Sequence, residues 1–418
     1  MSTPSNRRDF LKTAALGAAT VSLTARNHAR AQGANDRLRI GLIGCGSRGI
    51  GAHMTGVHNH DKKMNCEIVA FADPWKKQRE KAANLAKEWY GGEPMQFVSY
   101  RDLLEKADVD AVLIASCDHQ HTTHLEAAAK AGKDVYVEKP LGMDLERVKR
   151  AVDAVNDAGI VCQVGTQLRS YPSFNGCKKV YESGVLGKVA RIEQRRNGSQ
   201  PYWYGRLADL KEEDVDWQEF LMHLEDRPFD QDLYSGWYGY RAFSDGPVPG
   251  LGSHFIDLVH HITGATFPTS CQCMGGVYTW KDEHNFTAPD NVQAEWQYPE
   301  GFLVTYATNF GNGSGNSFRI YGEQGAIDMV NWNDPYLTNE GVHKSKETGA
   351  VPDKEEVEHV SMPDHMLDWL QCIHDRKQPN APMQAGYQHA VAVIMAMQAF
   401  DAGKTLYYDA ESRTIKDA

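Results

Sequence analysis

The run Leu38-Arg39-Ile40-Gly41-Leu42-Ile43-Gly44-Cys45-Gly46-Ser47-Arg48-Gly49 constrains the fold more than any other stretch of the chain. Ile40 to Ile43 has the apolar continuity of a buried parallel strand. The strand breaks into G-x-G-x-x-G at Gly44, Gly46 and Gly49. Gly44 permits a tight turn, Gly46 lets a pyrophosphate approach the backbone, and Gly49 lets the next helix pack close and face the phosphates. A second apolar strand, Glu67-Ile68-Val69-Ala70-Phe71-Ala72, ends in Asp73, where an acid that binds ribose hydroxyls belongs. This is the signature of a dinucleotide site, and Asp73 predicts NAD rather than NADP, since a carboxylate repels a 2′-phosphate.

The same alternation of short strands and helical patterns continues from Asp36 to Val164, as a doubly wound parallel sheet requires. Val109–Ala115 ends at Ser116-Cys117-Asp118-His119-Gln120-His121, and a helix is expected from Thr122 to Ala131. Asp134–Val137 delivers Glu138-Lys139-Pro140. Ligands of open α/β sheets lie beyond the carboxyl ends of the strands. Gly44–Gly49, Asp73, Ser116–His121 and Glu138–Pro140 therefore share one rim. The expected division is residues 1–31 as a targeting segment, 36–164 as the Rossmann domain and 165–418 as a second α/β domain, whose final helices return to the first.

The leading segment reads as an address. Asn6-Arg7-Arg8-Asp9-Phe10-Leu11-Lys12 is a twin-arginine pattern, followed by a mildly apolar stretch and Ala29-Arg30-Ala31. It predicts export of a folded protein by the twin-arginine translocase to the periplasm or beyond, with cleavage after Ala31. The apolar run is too short to span a membrane. Of the net charge of −11, residues 1–32 contribute +4, so the remainder stands at −15. With no basic stripe, nucleic acid is not an expected partner. Eight scattered cysteines predict buried thiols rather than a disulfide scaffold; Cys271 and Cys273, alternate residues of a strand, point to the core.

Past Gly198 the chain becomes loop-like and aromatic. Tyr202-Trp203-Tyr204 and Trp237-Tyr238-Gly239-Tyr240-Arg241 offer rings that stack on sugar C–H faces or build a core or subunit interface, and Arg206 and Arg241 offer guanidinium groups. Strands are expected at Val277–Trp280, Asn291–Tyr298, Phe302–Asn309 and Phe318–Tyr321, then a long polar excursion from Asn331 to Glu358, and helices at Asp364–Asp375 and Gly386–Ala402.

Together with Gln163-Val164-Gly165-Thr166-Gln167, Ser183-Gly184-Val185-Leu186-Gly187-Lys188, Gly252-Ser253-His254-Phe255-Ile256-Asp257 and Tyr321-Gly322-Glu323-Gln324-Gly325, these motifs resemble the glucose–fructose oxidoreductase, inositol dehydrogenase and rhizopine-catabolism (Gfo/Idh/MocA) family. The resemblance implies a Rossmann domain followed by an α/β domain with a large open mixed sheet, one face of which serves homo-oligomers such as dimers or tetramers. It implies a nicotinamide cofactor acting on sugars, polyols or their derivatives. Lys139 then stands beside the reacting hydroxyl, His254 is the proton-relay histidine, and His121 lies on the nicotinamide side. Cofactor contacts are expected from Gly44, Gly46, Ser47, Arg48, Gly49, Asp73, Ser116, His121, Glu138 and Gln167. Substrate contacts are expected from Arg169, Tyr204, Trp237, Arg241 and Asp257.

One position departs from that pattern. Dehydrogenases of the family carry Asp four residues before the histidine, where this chain has Gly250; Asp245 or Asp257 are the nearby carboxylates that could stand in. The resemblance leaves two rivals to a dehydrogenase. One is a redox-neutral NAD-dependent glycosidase with tightly held NAD, and the other is a non-catalytic sugar- or nucleotide-binding module. The histidines of His119-Gln120-His121-Thr122-Thr123-His124 are expected to serve the turn rather than a metal.

Overall fold

The computed structural model describes residues 37–330, 334–342 and 351–417; the twin-arginine segment lies outside the described residues. Six short apolar runs form a parallel sheet: β1 (Leu38–Ile43), β2 (Cys66–Ala72), β3 (Met95–Phe97), β4 (Ala111–Ile114), β5 (Asp134–Val137) and β6 (Cys162–Val164). Their order is β3-β2-β1-β4-β5-β6, so the winding reverses between β1 and β4. These two strands are paired from Ile40↔Ala111 to Ile43↔Ile114, so their carboxyl ends open side by side at the switch point where such sheets bind ligands.

Both faces of its central strands are covered, which is why β4 is wholly apolar and β1, β2 and β5 largely so, whereas the edge strand β3 is mostly exposed. Helices His121–Lys130 and Leu145–Ala158 lie on one face with Leu125, Ala128, Val148 and Val152 buried. On the other, helix His365–Asp375 comes back from the far end of the chain. Its Met366, Trp369, Leu370 and Ile373 share a core with Ile40, Leu42 and Phe71, and Arg376 at its end pairs with Asp134 of β5 at 3.0 Å.

The second sheet has ten strands: β7 (Val189–Arg195), β8 (Ser270–Gly276), β9 (Asn291–Gln297), β10 (Leu303–Asn309), β11 (Ser317–Gly322), β12 (Ala326–Val330), β13 (Tyr336–Thr338), β14 (Glu355–Glu356), β15 (Leu406–Asp409) and β16 (Thr414–Lys416). The order is β14-β13-β12-β11-β7-β10-β9-β8-β15-β16, and only β7 and β10 run parallel. The sheet is therefore mixed. Alternation sorts its residues: Cys271, Cys273, Val292, Ala294, Trp296, Val304 and Tyr306 are buried, whereas Met274, Leu303 and Tyr407 are exposed on the other side. Helix Met383–Ala402 is buried almost all round, the signature of a central helix. It lies between the helix Leu145–Ala158 and strand β8, and its Ala392 carbonyl accepts from Trp296 Nε1 at 2.9 Å.

Three sequence expectations need correction. Val277–Trp280 is not a strand; the strand is Ser270–Gly276. The N–H groups of Tyr278, Thr279 and Trp280 instead all donate to the Asp290 carboxylate at 2.7–2.9 Å, so a side chain takes the donors a ladder would use. The polar excursion carries β13 and β14, which extend the sheet edge. The last long helix starts at Met383 rather than Gly386, directly after Pro382, whose backbone is still extended (φ −70°, ψ 167°) at the N-cap.

Candidate active site

The carboxyl rim of the Rossmann sheet opens into a cavity of about 780 Å³. At one end Gly44 adopts φ +92°, and a Cβ there would stand 2.5 Å from Ser116 N. The β1–β4 pairing thus requires a glycine where the two strands end. A Cβ on Gly49 would strike the Gly44 carbonyl, whereas one on Gly46 would meet nothing within 4 Å. Gly46 therefore leaves open the space a phosphate needs, next to a helix that begins as a wide turn over Gly49–Met54 and continues through Thr55–His58. Asp73 closes this end. Its carboxylate accepts from Cys45 N at 2.7 Å and Trp75 N at 2.8 Å, which aim it across the loop. Burial raises its pKa to about 6 against these donors. Loop, open glycine and strand-end acid match the donor set of a dinucleotide.

At the other end stand Lys139 and His254. Lys139 Nζ donates to the Gly250 carbonyl at 2.6 Å. Burial holds its pKa below that of an ordinary lysine, against the opposing pull of Glu138 and Asp118. His254 opens helix Ser253–Thr263; burial and then the Lys139 charge hold its imidazole well below the usual histidine range, and its Nδ1 is buried without a partner. Glu138 is a buried carboxylate reached by Arg48 Nε at 2.6 Å, with His53 Nε2 at 3.0 Å. Burial pushes it up, yet Arg48 and His53 more than offset this, and its pKa lies well below the carboxylate range. Gln167 does not line the cavity. Its amide donates to the Gly165 carbonyl at 2.6 Å and accepts from Arg48, so it steadies Arg48. His121 places its two ring nitrogens against the Pro140 carbonyl at 2.7 Å and the Ser116 carbonyl at 3.0 Å, clasping one rim loop to the next.

The segment between β7 and helix Ser253–Thr263 roofs the rim. Asp216 N donates to the Pro74 carbonyl at 3.0 Å, Ser99 Oγ to Glu219 at 2.9 Å, and Gln120 Nε2 to the Phe220 carbonyl at 2.8 Å. Its Trp203, Phe220, Tyr234 and Phe243 share a core with Phe286 from a later loop, and Phe220 and Tyr234 line the cavity together with Tyr202, Trp237 and Tyr238. Arg206 reaches from this roof to Ser47 Oγ in the glycine loop at 2.6 Å.

Of the expected substrate residues only Trp237 lines the cavity, stacked on Tyr238 with ring centroids 3.6 Å apart. The other four are corrected. Arg169 Nε contacts both oxygens of fully buried Asp257 at 2.8 Å. Arg241 is held by Asp245 at 2.8 Å and Asp401 at 2.9 Å, and Tyr204 donates its hydroxyl to Asp282. Each already has its charge or donor satisfied inside the protein. The same pairings hold Asp245 and Asp257, and neither carboxylate lines the cavity. The clustered histidines serve different partners: His119 faces the Phe220 carbonyl and His124 the Ser116 hydroxyl.

Asp118 and Tyr202 line the cavity without having been singled out as site residues from the sequence. Asp118 is buried, accepts from Ser244 Oγ at 2.7 Å, and stands near enough to Lys139 to be stabilised by it; burial nonetheless raises its pKa to about 6. Its signal was its place in the strand-end run Ser116–His121. Tyr202 carried none that separated it from its core neighbour Trp203.

Comparison with known proteins supplies relatives. A family model described as an oxidoreductase family with an NAD-binding Rossmann fold matches residues 38–166, and its companion, a C-terminal alpha/beta domain, matches residues 178–408. The Rossmann domain is thus an NAD-binding one. Myo-inositol 2-dehydrogenase of Thermotoga maritima is 31% identical over 198 residues, 45% of this chain and 56% of the relative. The scyllo-inositol 2-dehydrogenase (NAD(+)) of Bacillus subtilis is 28% identical over 202 residues, 45% of this chain and 55% of its own length. The matched part thus spans just over half the length of these curated relatives. Among solved structures, the WlbA dehydrogenase from Bordetella pertussis in complex with NADH and UDP-GlcNAcA superposes with a TM-score of 0.68 at 19% identity, covering 89% of this chain and 99% of that one. Levoglucosan dehydrogenase, in complex with NADH and levoglucosan, gives 0.67 at 17% identity with the same coverage. At these identities the likeness is one of fold.

Proposed function

The chain belongs to the Gfo/Idh/MocA oxidoreductase family, and from that premise we propose that it oxidises or reduces a sugar, polyol or glycoside hydroxyl with NAD, Lys139 and His254 moving the proton. The observation that carries this reading is Lys139. It ends a buried strand on the rim that bears the glycine loop, its amine is held by one carbonyl, and its pKa is lowered toward a neutral base. A bound nicotinamide supplies the two-electron acceptor or donor for the carbon-bound hydrogen.

The protein's own groups do the rest. Gly44, Gly46 and Gly49 shape the phosphate loop, and Asp73 takes the ribose hydroxyls. Glu138, kept ionised by Arg48 and His53, sits behind Lys139 and accepts from its backbone N–H at 3.1 Å. Neutral Lys139 takes the substrate hydroxyl proton, and neutral His254 is the next station for it. The Trp237–Tyr238 wall suits an apolar sugar face. Formation of NADH on incubating NAD with inositols, glucose and methyl glucosides tests the reading; the same protein inert toward the whole panel, with or without added NAD, removes it.

A second reading is favoured by Arg206. It bridges the roof to Ser47 in the phosphate loop, a contact suited to holding a dinucleotide through many turnovers. In that reading NAD stays bound and returns its electrons each cycle, so that a glycoside is cleaved or hydride is exchanged between sugars without net redox change. Purified enzyme then works without added NAD and releases no NADH. Deuterium on the oxidised carbon stays in the same sugar for cleavage and moves to the acceptor for exchange. The twin-arginine segment supports an exported enzyme, for which a retained cofactor is useful. The exposed side of the ten-stranded sheet, with Met274, Leu303 and Tyr407, is the face proposed for homo-oligomers.

A further inference from the structure

Position 250 is where this chain drops the carboxylate of its relatives' pattern, and the structure shows what occupies the space. A Cβ built on Gly250 would stand 2.5 Å from the hydroxyl oxygen of Tyr202 and 3.6 Å from its Cζ. The phenol oxygen therefore crowds the space into which an aspartate side chain at this position would have to grow. Tyr202 comes from the roof, some fifty residues earlier in the chain. Its ring is wedged by Trp203, Tyr238 and Phe310 at centroid distances of 5.2, 5.2 and 5.8 Å, all near perpendicular, so it has no freedom to swing elsewhere.

That hydroxyl is buried and has no hydrogen-bond partner in the protein. A buried polar atom without a protein partner calls for an explanation, and one that lines a ligand cavity is placed to be completed by the ligand. Tyr202 lines the cavity beside Lys139, His254 and Asp118, and Lys139 is bonded to the carbonyl of the same residue, Gly250, against which the phenol stands. We propose that Tyr202 takes the place of the missing carboxylate and donates its hydroxyl proton in a hydrogen bond to the carbohydrate oxygen next to the one served by Lys139. Burial raises the Tyr202 pKa well above that of a free phenol, which keeps it a donor. An aspartate in this place is an acceptor; a phenol instead favours an oxygen with a lone pair to offer, such as a ring or glycosidic oxygen or a carbonyl formed on oxidation.

This inference rests on the carbohydrate oxidoreductase reading, and a swap of the two positions tests it. Wild type, Tyr202→Phe, Gly250→Asp and the double variant Tyr202→Phe/Gly250→Asp are compared for thermal midpoint, NADH affinity, binding of glucose, methyl glucosides and myo-inositol to the NADH-loaded enzyme, and turnover of each. Tyr202→Phe is expected to keep fold and NADH affinity, to weaken sugar binding about tenfold and to lower kcat/KM by roughly 10–100-fold. Gly250→Asp alone is expected to lower the thermal midpoint by the clash with the phenol. The double variant, freed of the hydroxyl, regains that midpoint and favours free polyols such as myo-inositol over methyl glucosides relative to wild type. Tyr202→Phe that binds and turns over the sugars within a factor of two of wild type overturns the proposal and leaves the oxidoreductase standing. A double variant with the sugar preference of Tyr202→Phe also overturns it. Wild type that neither binds nor turns over any of these sugars overturns the parent reading, and the Tyr202 role falls with it.

Discussion

Lys139 and Gly250, 111 residues apart, are joined by a hydrogen bond of 2.6 Å from the lysine Nζ to the glycine carbonyl. It ties the Rossmann rim to the turn that presents His254, so the amine's position depends on both halves of the chain. Because burial lowers the Lys139 pKa, the neutral amine exists at lower pH than for a free lysine. Alcohol oxidation needs that neutral form, so kcat/KM in this direction rises with pH and levels off at a midpoint below about 10.4. Lys139→Ala loses that limb and lowers turnover by about 10²–10⁴-fold, while NAD affinity stays within a few-fold. A lysine variant with near-normal turnover, read by stopped-flow or steady-state kinetics, removes Lys139 from the chemistry.

Asp73 decides between the two nicotinamide cofactors. Its carboxylate, fixed by Cys45 N and Trp75 N, meets a 2′-phosphate as a like charge at a cost of several kcal/mol. Fluorescence titration with NADH and NADPH is expected to show strong preference for NADH, and Asp73→Ala to narrow the preference chiefly by losing NADH affinity. Equal affinities in wild type contradict this role.

Arg206 spans the roof and the phosphate loop through Ser47. Arg206→Ala is expected to speed NADH release about tenfold, with sugar KM little changed; an exposed contact of this kind weakens with salt. Displacement of bound NADH, followed by its fluorescence, gives the rate directly, and an unchanged rate means the bridge does not hold the cofactor.

The buried Arg169–Asp257 pair is structural. Asp257→Ala strands a buried guanidinium, for which about 3–5 kcal/mol of lost stability is expected. Urea unfolding measures it. Any variant still folded should show an unchanged sugar KM, whereas a raised KM with intact stability restores these residues to the substrate.

Asp118 carries a pH signature of opposite sign to an ordinary paired carboxylate. Its folded pKa is raised from 3.8 to about 6. Between these values the folded state holds the proton more tightly than the unfolded one, so stability falls as pH rises through the window and the deficit is complete above it. Asp118→Asn, whose amide can donate to the Ser244 hydroxyl, is expected to stabilise the ligand-free protein by up to about 3 kcal/mol at pH 8, with the gain fading toward pH 4. Denaturant curves at pH 8, 6 and 4 test the trend; a variant less stable at pH 8 than at pH 4, relative to wild type, reverses the sign.

Much of the Rossmann half was legible residue by residue because its signals are local. An apolar run of four to seven residues buried on both faces, a glycine turn and an acid at the next strand end lie close together in sequence, and each states its geometry through backbone sterics and period. Gly44 needed positive φ, and it has it. Asn291–Gln297 and Leu303–Asn309 alternate and were legible for the same reason. Tertiary structure alone decided which polar groups were left free to act. Arg169, Tyr204 and Asp257 looked available in sequence, and each is consumed by a partner that period and spacing do not reveal, at separations of 88, 78 and 88 residues, while Arg241 is held both by Asp245 four residues on and by Asp401 160 residues on. Tyr202 read in sequence as a ring for sugar stacking or for a core or interface, and the fold leaves its hydroxyl unpartnered beside Gly250. A hydrogen bond or ion pair is directional and short-ranged, so whether a side chain is spent or free depends on atoms brought within 3 Å by the whole fold.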